Sequence, residues 1–226
     1  MAAFRKCLEL GVDIELDVQR CASGELIVIH DEDLSRTTNG VGQVCDINYD
    51  EINRLSAGLW FDSDFSGENV PLLSDVLKLI SGQLNINVEI KNAPIAYDDI
   101  EEELLAMLAD YGHGDKIIVS SFDHYVIQRL RALDSSLQLA LLLDGVLVDM
   151  PAYAEKLGVN YFHPCLGSCR ADLVEEAQAA GLKVNVWTAN GRRAWSKALK
   201  MGVDGIVTDD PAGLMVLLGR AEIVPE

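Results

Sequence analysis

Short runs in which apolar and polar residues alternate recur along the chain, separated by longer stretches whose apolar positions return every three or four residues. The first periodicity belongs to half-buried strands and the second to amphipathic helices. Strands are predicted at residues 12–18, 84–91, 116–122, 138–143, 160–163, 183–188 and 205–208, with a first helix over 2–10. One junction repeats: Leu10-Gly11-Val12-Asp13, Leu157-Gly158-Val159-Asn160, Ala180-Gly181-Leu182-Lys183 and Met201-Gly202-Val203-Asp204. Each sets a glycine just past a helical pattern, where a left-handed cap wants it, and begins a strand at once, as in a parallel α/β architecture. A further run at 25–31 follows the first strand across Ser23-Gly24, too short a connection for a parallel crossover, so it is predicted to fold back antiparallel.

Seven parallel strands without a glycine-rich dinucleotide fingerprint favour the α/β class with a closed (β/α)8 TIM barrel over an open doubly wound sheet. The barrel would carry a small antiparallel hairpin and loop excursion after its second strand. The eighth strand would precede the first helix, so the first barrel strand is expected to be missing from this chain. No linker or low-complexity stretch interrupts the 226 residues, which read as one domain, 1–226.

Chemistry concentrates on the polar faces. Asp13, Glu15 and Asp17 alternate with Val12, Ile14, Leu16 and Val18, and Asn85, Asn87, Glu89 and Lys91 alternate with Ile86, Val88 and Ile90. Lys183, Asn185 and Trp187 repeat the device. In a barrel such faces point inward, and polar groups at the strands' C-terminal ends form the site. Carboxylates converging there repel unless neutralised. A divalent cation would do this, and oxygen ligands select Mg²⁺ or Ca²⁺; a structural salt-bridge layer in which Lys91 neutralises Glu89 is the other reading. His30 shares a face with Leu26 and Val28, the pattern of a core residue. Asp31 would face the other way along a strand, so the two form no acid–base pair unless the strand ends there.

Charge narrows the partners. Eighteen Lys and Arg against 36 Asp and Glu give a formal charge of −18, which repels nucleic acids and anionic membranes. No apolar run reaches the length of a membrane span, and five cysteines at scattered positions fit free thiols in the cytoplasm. His163-Pro164-Cys165 with Cys169 matches no zinc spacing and reads as a pocket wall, while His113 between two glycines reads as a loop residue. Asp123 is expected to cap a helix opened by His124. The acidic run Asp98-Asp99-Ile100-Glu101-Glu102-Glu103 reads as a solvated face at a helix start.

Longer segments carry a resemblance. Gly11-Val12-Asp13-Ile14-Glu15-Leu16-Asp17-Val18 and Gly24 through Gly40, with His30-Asp31 and Arg36-Thr37-Thr38-Asn39-Gly40 inside it, closely resemble glycerophosphodiester phosphodiesterases. So do Pro71-Leu72-Leu73, Asn87-Val88-Glu89-Ile90-Lys91, Ser120-Ser121-Phe122-Asp123, Val184-Asn185-Val186-Trp187-Thr188 and Val207-Thr208-Asp209-Asp210-Pro211, in the family's order. The resemblance implies metal ligands at Glu15, Asp17 and Glu89, a catalytic histidine at His30, a phosphate-facing Lys91 and a pocket wall at Trp187. It implies metal-dependent hydrolysis of a small-molecule glycerophosphodiester to sn-glycerol 3-phosphate and an alcohol. The family's opening His-Arg-Gly strand and the Pro-Glu-Asn-Thr segment after it have no counterpart here. That departure predicts hydrolysis impaired by loss of one catalytic histidine, or a catalytically inactive barrel that binds a glycerophosphodiester or a protein. It also predicts an unpaired seam that invites self-association.

Overall fold

A computed structural model describes residues 1–112 and 114–220, which leaves the loop reading of His113 outside the described residues. Backbone contacts divide the chain into two compact units, Met1–Leu137 and Gln138–Glu226.

The first unit runs α1 (Ala2–Leu10), β1 (Ile14–Arg20), β2 (Leu26–Val28), α2 (Tyr49–Ile52), α3 (Leu73–Ile80), β3 (Ile86–Ile90), α4 (Ile100–Tyr111), β4 (Ile117–Ser121) and α5 (His124–Leu133). Gly11 closes α1 in the left-handed region at φ 65°, and its N–H and that of Val12 return to the last carbonyls of the helix. A side chain at Gly11 would be strained there, so glycine fixes where the chain turns into β1. Strand β1 pairs in parallel with β3 and β3 with β4, while β2 folds back antiparallel on β1, as the short Ser23-Gly24 connection requires. The apolar faces of these strands are buried: Ile14, Leu16 and Val18 on β1, Ile86, Val88 and Ile90 on β3.

Two local expectations shift. The antiparallel strand ends at Val28, whose N–H is taken by Pro71 O at 2.9 Å, and the chain leaves the sheet for an excursion before His30 is reached. That excursion is ordered by its own core, with Leu34, Val44 and Ile52 fully buried against Cys21, Ile27 and Ile29. Truncating Leu34 or Ile52 to alanine is the kind of change that costs about 2–5 kcal/mol. The acidic run is also not uniformly solvated. Glu101 is 2% exposed and paired with Arg129, whose Nε donates to its Oε1 at 2.7 Å. It is buried because it lies on the α4 face that meets α5, which charge counting along the sequence does not show.

The second unit runs β5 (Gln138–Leu143), α6 (Met150–Leu157), β6 (Tyr161–Pro164), α7 (Ala171–Ala179), β7 (Lys183–Val186), α8 (Gly191–Met201), β8 (Gly205–Ile206) and α9 (Pro211–Leu217). Its four strands are parallel in sequence order. No helix among the described residues is long and apolar enough to cross a membrane.

Candidate active site

The site residues of the first unit are assembled by strand register. Glu15 lies opposite Asn87, and Asp17 opposite Glu89, because β1 and β3 run parallel from the Ile14–Ile86 pair. Neighbouring strands lie about 4.8 Å apart, so the two polar faces fuse into one carboxylate patch. Glu15, Asp17 and Glu89 each bring an oxygen within 4.8 Å of the others, a geometry compatible with a shared cation, and no other such group of ligating side chains occurs among the described residues. Asp13 stays out of the patch. It precedes the strand, is exposed, and takes both the N–H and the side-chain amide of Asn85 at 2.9 Å.

Lys91, one residue past β3, reaches back over the patch. Its Nζ is 3.0 Å from Asp17 Oδ1 and 2.5 Å from Glu89 Oε1. The salt-bridge layer anticipated as the alternative is therefore present, but one ammonium cannot offset three carboxylates by itself. Burial pushes the Glu89 carboxyl above its ordinary range, and the Asp17 charge adds to this, against the opposing pull of Lys91. For Lys91, burial works against the charge, yet Asp17 and Glu89 together carry its pKa above the usual lysine value. Glu89 is buried, and the Lys91 ammonium 2.5 Å from its Oε1 is the counter-charge it has in this arrangement.

His30 is neither in a strand nor in the core. Its side chain is 61% exposed, and Nδ1 lies 2.6 Å from Asp31 Oδ1. The strand ends early, so the condition under which the two residues can pair is met. The pair has a third member that the sequence reading missed: Arg36 clamps Asp31 with two nitrogens, Nη2 donating to Oδ1 at 2.7 Å and Nε to Oδ2. The Arg36 bond holds the Asp31 carboxyl at about 2, with burial opposing it and His30 helping. Because the carboxylate takes the Nδ1 hydrogen, a neutral His30 has Nε2 as its basic nitrogen. His30 and Arg36 face the patch closely enough for the His30 charge to act on Glu89 and the Arg36 charge to feel Asp17. No local spacing in the sequence links Arg36 to Asp31, which lies five residues earlier in an irregular segment.

Trp187 lies just past β7 in the second unit, where its Nε1 donates to His163 O at 2.8 Å. His163 is buried, with Asn185 Nδ2 at 3.0 Å from its Nε2, and Cys165 and Cys169 are in no disulfide. Asp123 caps α5 as expected, accepting from Tyr125 N at 3.0 Å.

The sequence profile of the glycerophosphoryl diester phosphodiesterase family matches residues 1–213. The chain belongs to this family. A glycerophosphodiester phosphodiesterase of Caldanaerobacter subterraneus subsp. tengcongensis is 39% identical over 222 residues, covering 97% of this chain and 91% of that protein. One from Bacillus altitudinis is 34% identical, covering 93% and 88%. Among solved structures, a glycerophosphodiester phosphodiesterase from Agrobacterium tumefaciens superposes with a TM-score of 0.80 at 29% identity, over 95% of this chain and 91% of that one. A phosphodiesterase from Oleispira antarctica, solved in complex with sn-glycerol-3-phosphate, superposes at 0.86 with 24% identity, over 96% and 90%. The α/β barrel class expected from the strand pattern is the class of these family structures. The glycerophosphoryl diester phosphodiesterase family hydrolyses phosphodiester bonds, and this chain is an enzyme of that type.

Proposed function

We propose that the chain hydrolyses glycerophosphodiesters to sn-glycerol 3-phosphate and an alcohol, with a divalent cation held by Glu15, Asp17 and Glu89 and with His30 as the proton-transfer group. The observation that carries this reading is the convergence of three carboxylates within 4.8 Å of one another beside an exposed, carboxylate-paired histidine, in a chain matched to the family over residues 1–213. The donor set fits the ion: it is all oxygen, as Mg²⁺ and Ca²⁺ require, and three carboxylates within 4.8 Å of one another carry more negative charge than the single Lys91 ammonium offsets. When bound, such an ion supplies charge stabilisation for the phosphoryl oxygens.

The chain's own residues supply the rest. Lys91, held charged between Asp17 and Glu89, puts a positive charge beside the carboxylates where an anionic phosphodiester would bind. His30 receives or returns a proton at Nε2 while Asp31 and Arg36 keep the opposite nitrogen occupied. A cytoplasmic setting agrees with five free cysteines.

The test is cation-dependent release of glycerol 3-phosphate from glycerophosphocholine, by this chain and by one extended upstream with a His-Arg-Gly strand. Release that is abolished by EDTA and by Glu89→Gln is expected. No release from either chain, with fold and Ca²⁺ binding intact, overturns the hydrolase reading and leaves a binding protein.

A further inference from the structure

His30 is gripped from its main chain as well as its ring. Gln19, at the end of β1 and on the same face as Glu15 and Asp17, is fully buried. A buried amide must find partners for both its donor and its acceptor or carry a penalty for leaving water. Gln19 Nε2 donates to His30 O at 3.0 Å and to Ile29 O at 3.3 Å, and its Oε1 accepts from Tyr97 Oη at 3.1 Å. Tyr97 is itself only 6% exposed, and burial pushes its pKa up to about 12, so its hydroxyl stays a donor. Its N–H donates to Asn92 Oδ1 at 2.7 Å, and Asn92 Nδ2 donates to Asp123 Oδ2 at 3.0 Å, the carboxylate that caps α5.

The relay therefore begins at the carbonyl of His30 and ends at the β4–α5 junction, passing through the residue next to Lys91. The other support of His30, the Asp31–Arg36 pair, is half open to water: the Arg36 side chain is 57% exposed. The core under the excursion and the Ile29 N–H bond to Asp17 O at 3.0 Å anchor the loop up to Ile29, but at His30 itself a solvent-screened ion pair defines a position poorly, whereas a connected buried network has few alternative arrangements. We infer that Gln19 and Tyr97 are positioning residues, whose buried hydrogen bonds fix the His30 main chain against the strand that carries Glu15 and Asp17. This rests on the hydrolase reading of the site, in which His30 must meet the reacting phosphodiester at a set distance. Neither residue touches the carboxylates or the substrate in this scheme, so their loss is felt in turnover and not in cation binding.

The experiment compares the intact chain with Tyr97→Phe, which deletes one hydroxyl and keeps the ring, and with Gln19→Leu, which removes the bonds to His30 O and Ile29 O as well as the one from Tyr97. Tyr97→Phe is expected to lower kcat about tenfold and Gln19→Leu about a hundredfold, the scale set by an ångström of misplacement, with KM and Ca²⁺ affinity held within about twofold. The imidazole NMR signals of His30, assigned by their loss in His30→Asn, are expected to shift in Tyr97→Phe. Wild-type kcat in a folded Tyr97→Phe chain overturns the inference, and so does a parallel fall of kcat and Ca²⁺ affinity, which is the signature of general loosening. If neither the unmutated chain nor its upstream-extended form hydrolyses glycerophosphocholine, the functional reading fails by itself, and unchanged His30 ring signals in Tyr97→Phe then overturn the positioning inference separately.

Discussion

Two histidines, one in each unit, stand near strand ends and have opposite characters. His30 follows β2 with its side chain 61% exposed, and its Nδ1 is bonded to a carboxylate that Arg36 keeps ionised. His163 lies within β6, 2% exposed, with Asn185 on its Nε2 and the Tyr161 ring edge-on at 5.9 Å. Burial alone drives the His163 pKa down to about 3, so it remains a neutral member of the core. The same imidazole is thus an accessible proton carrier in one place and packing material in the other. What separates them is access to water and a charged partner, and neither property belongs to the residue type.

Removing each histidine should sharpen the contrast. His30→Asn is expected to lower kcat about 10²- to 10⁴-fold while leaving the thermal midpoint within about 2 °C, because an exposed ring carries little stability. A wild-type rate in this variant would remove His30 from the chemistry. Lys91→Met comes next in size. It leaves Asp17 and Glu89 without their buried cation, and the metal-free chain is expected to lose about 3–5 kcal/mol in denaturant unfolding. Added Ca²⁺ should restore more stability to this variant than it adds to the unmutated chain, and equal gains would mean that lysine and metal do not share the carboxylates.

His163→Gln should cost about 1–3 kcal/mol at pH 7, since it disturbs a buried hydrogen bond. Its pH dependence is more telling. The folded-state pKa lies below the ordinary 6.5, so the folded protein binds fewer protons than the unfolded chain between these values. Stability is full above pH 6.5 and falls as pH drops toward 3, and His163→Gln should flatten that slope between pH 7 and pH 4.5. The smallest effect belongs to Arg36→Gln. With Asp31 held at about 2, below its ordinary 3.8, the pair adds stability above that value which is lost as pH falls through 2. The expected loss at pH 6 is only about 0.2–1 kcal/mol, because the pair is partly exposed, and the difference between the variant and unmutated chains should shrink from pH 4 toward pH 2 and vanish below it.

Much of this architecture was legible in the order of residues. The alternation of Glu15 and Asp17 with Ile14, Leu16 and Val18 sets the carboxylates on one face whatever the strand's ends, because side chains alternate with period two. The ends themselves were less secure. Strand β1 begins at Ile14 and continues to Arg20, two residues beyond the predicted end at Val18, because pairing with β2 extends it. Burial of Glu101 and the early end of β2 both depended on neighbours distant in sequence.

The sequence by itself determined which side chains share a face, where glycine ends the helices, and that a carboxylate patch would need a counter-charge. These follow from local periodicity and backbone sterics. Only the tertiary structure decided that Lys91 spans Asp17 and Glu89, that Asp31 turns onto His30 under the hold of Arg36, and that Tyr97 braces Gln19 from 78 residues away. Each of these depends on strand register or on where an irregular segment returns, and the free energy that fixes such returns comes from burial shared among many residues.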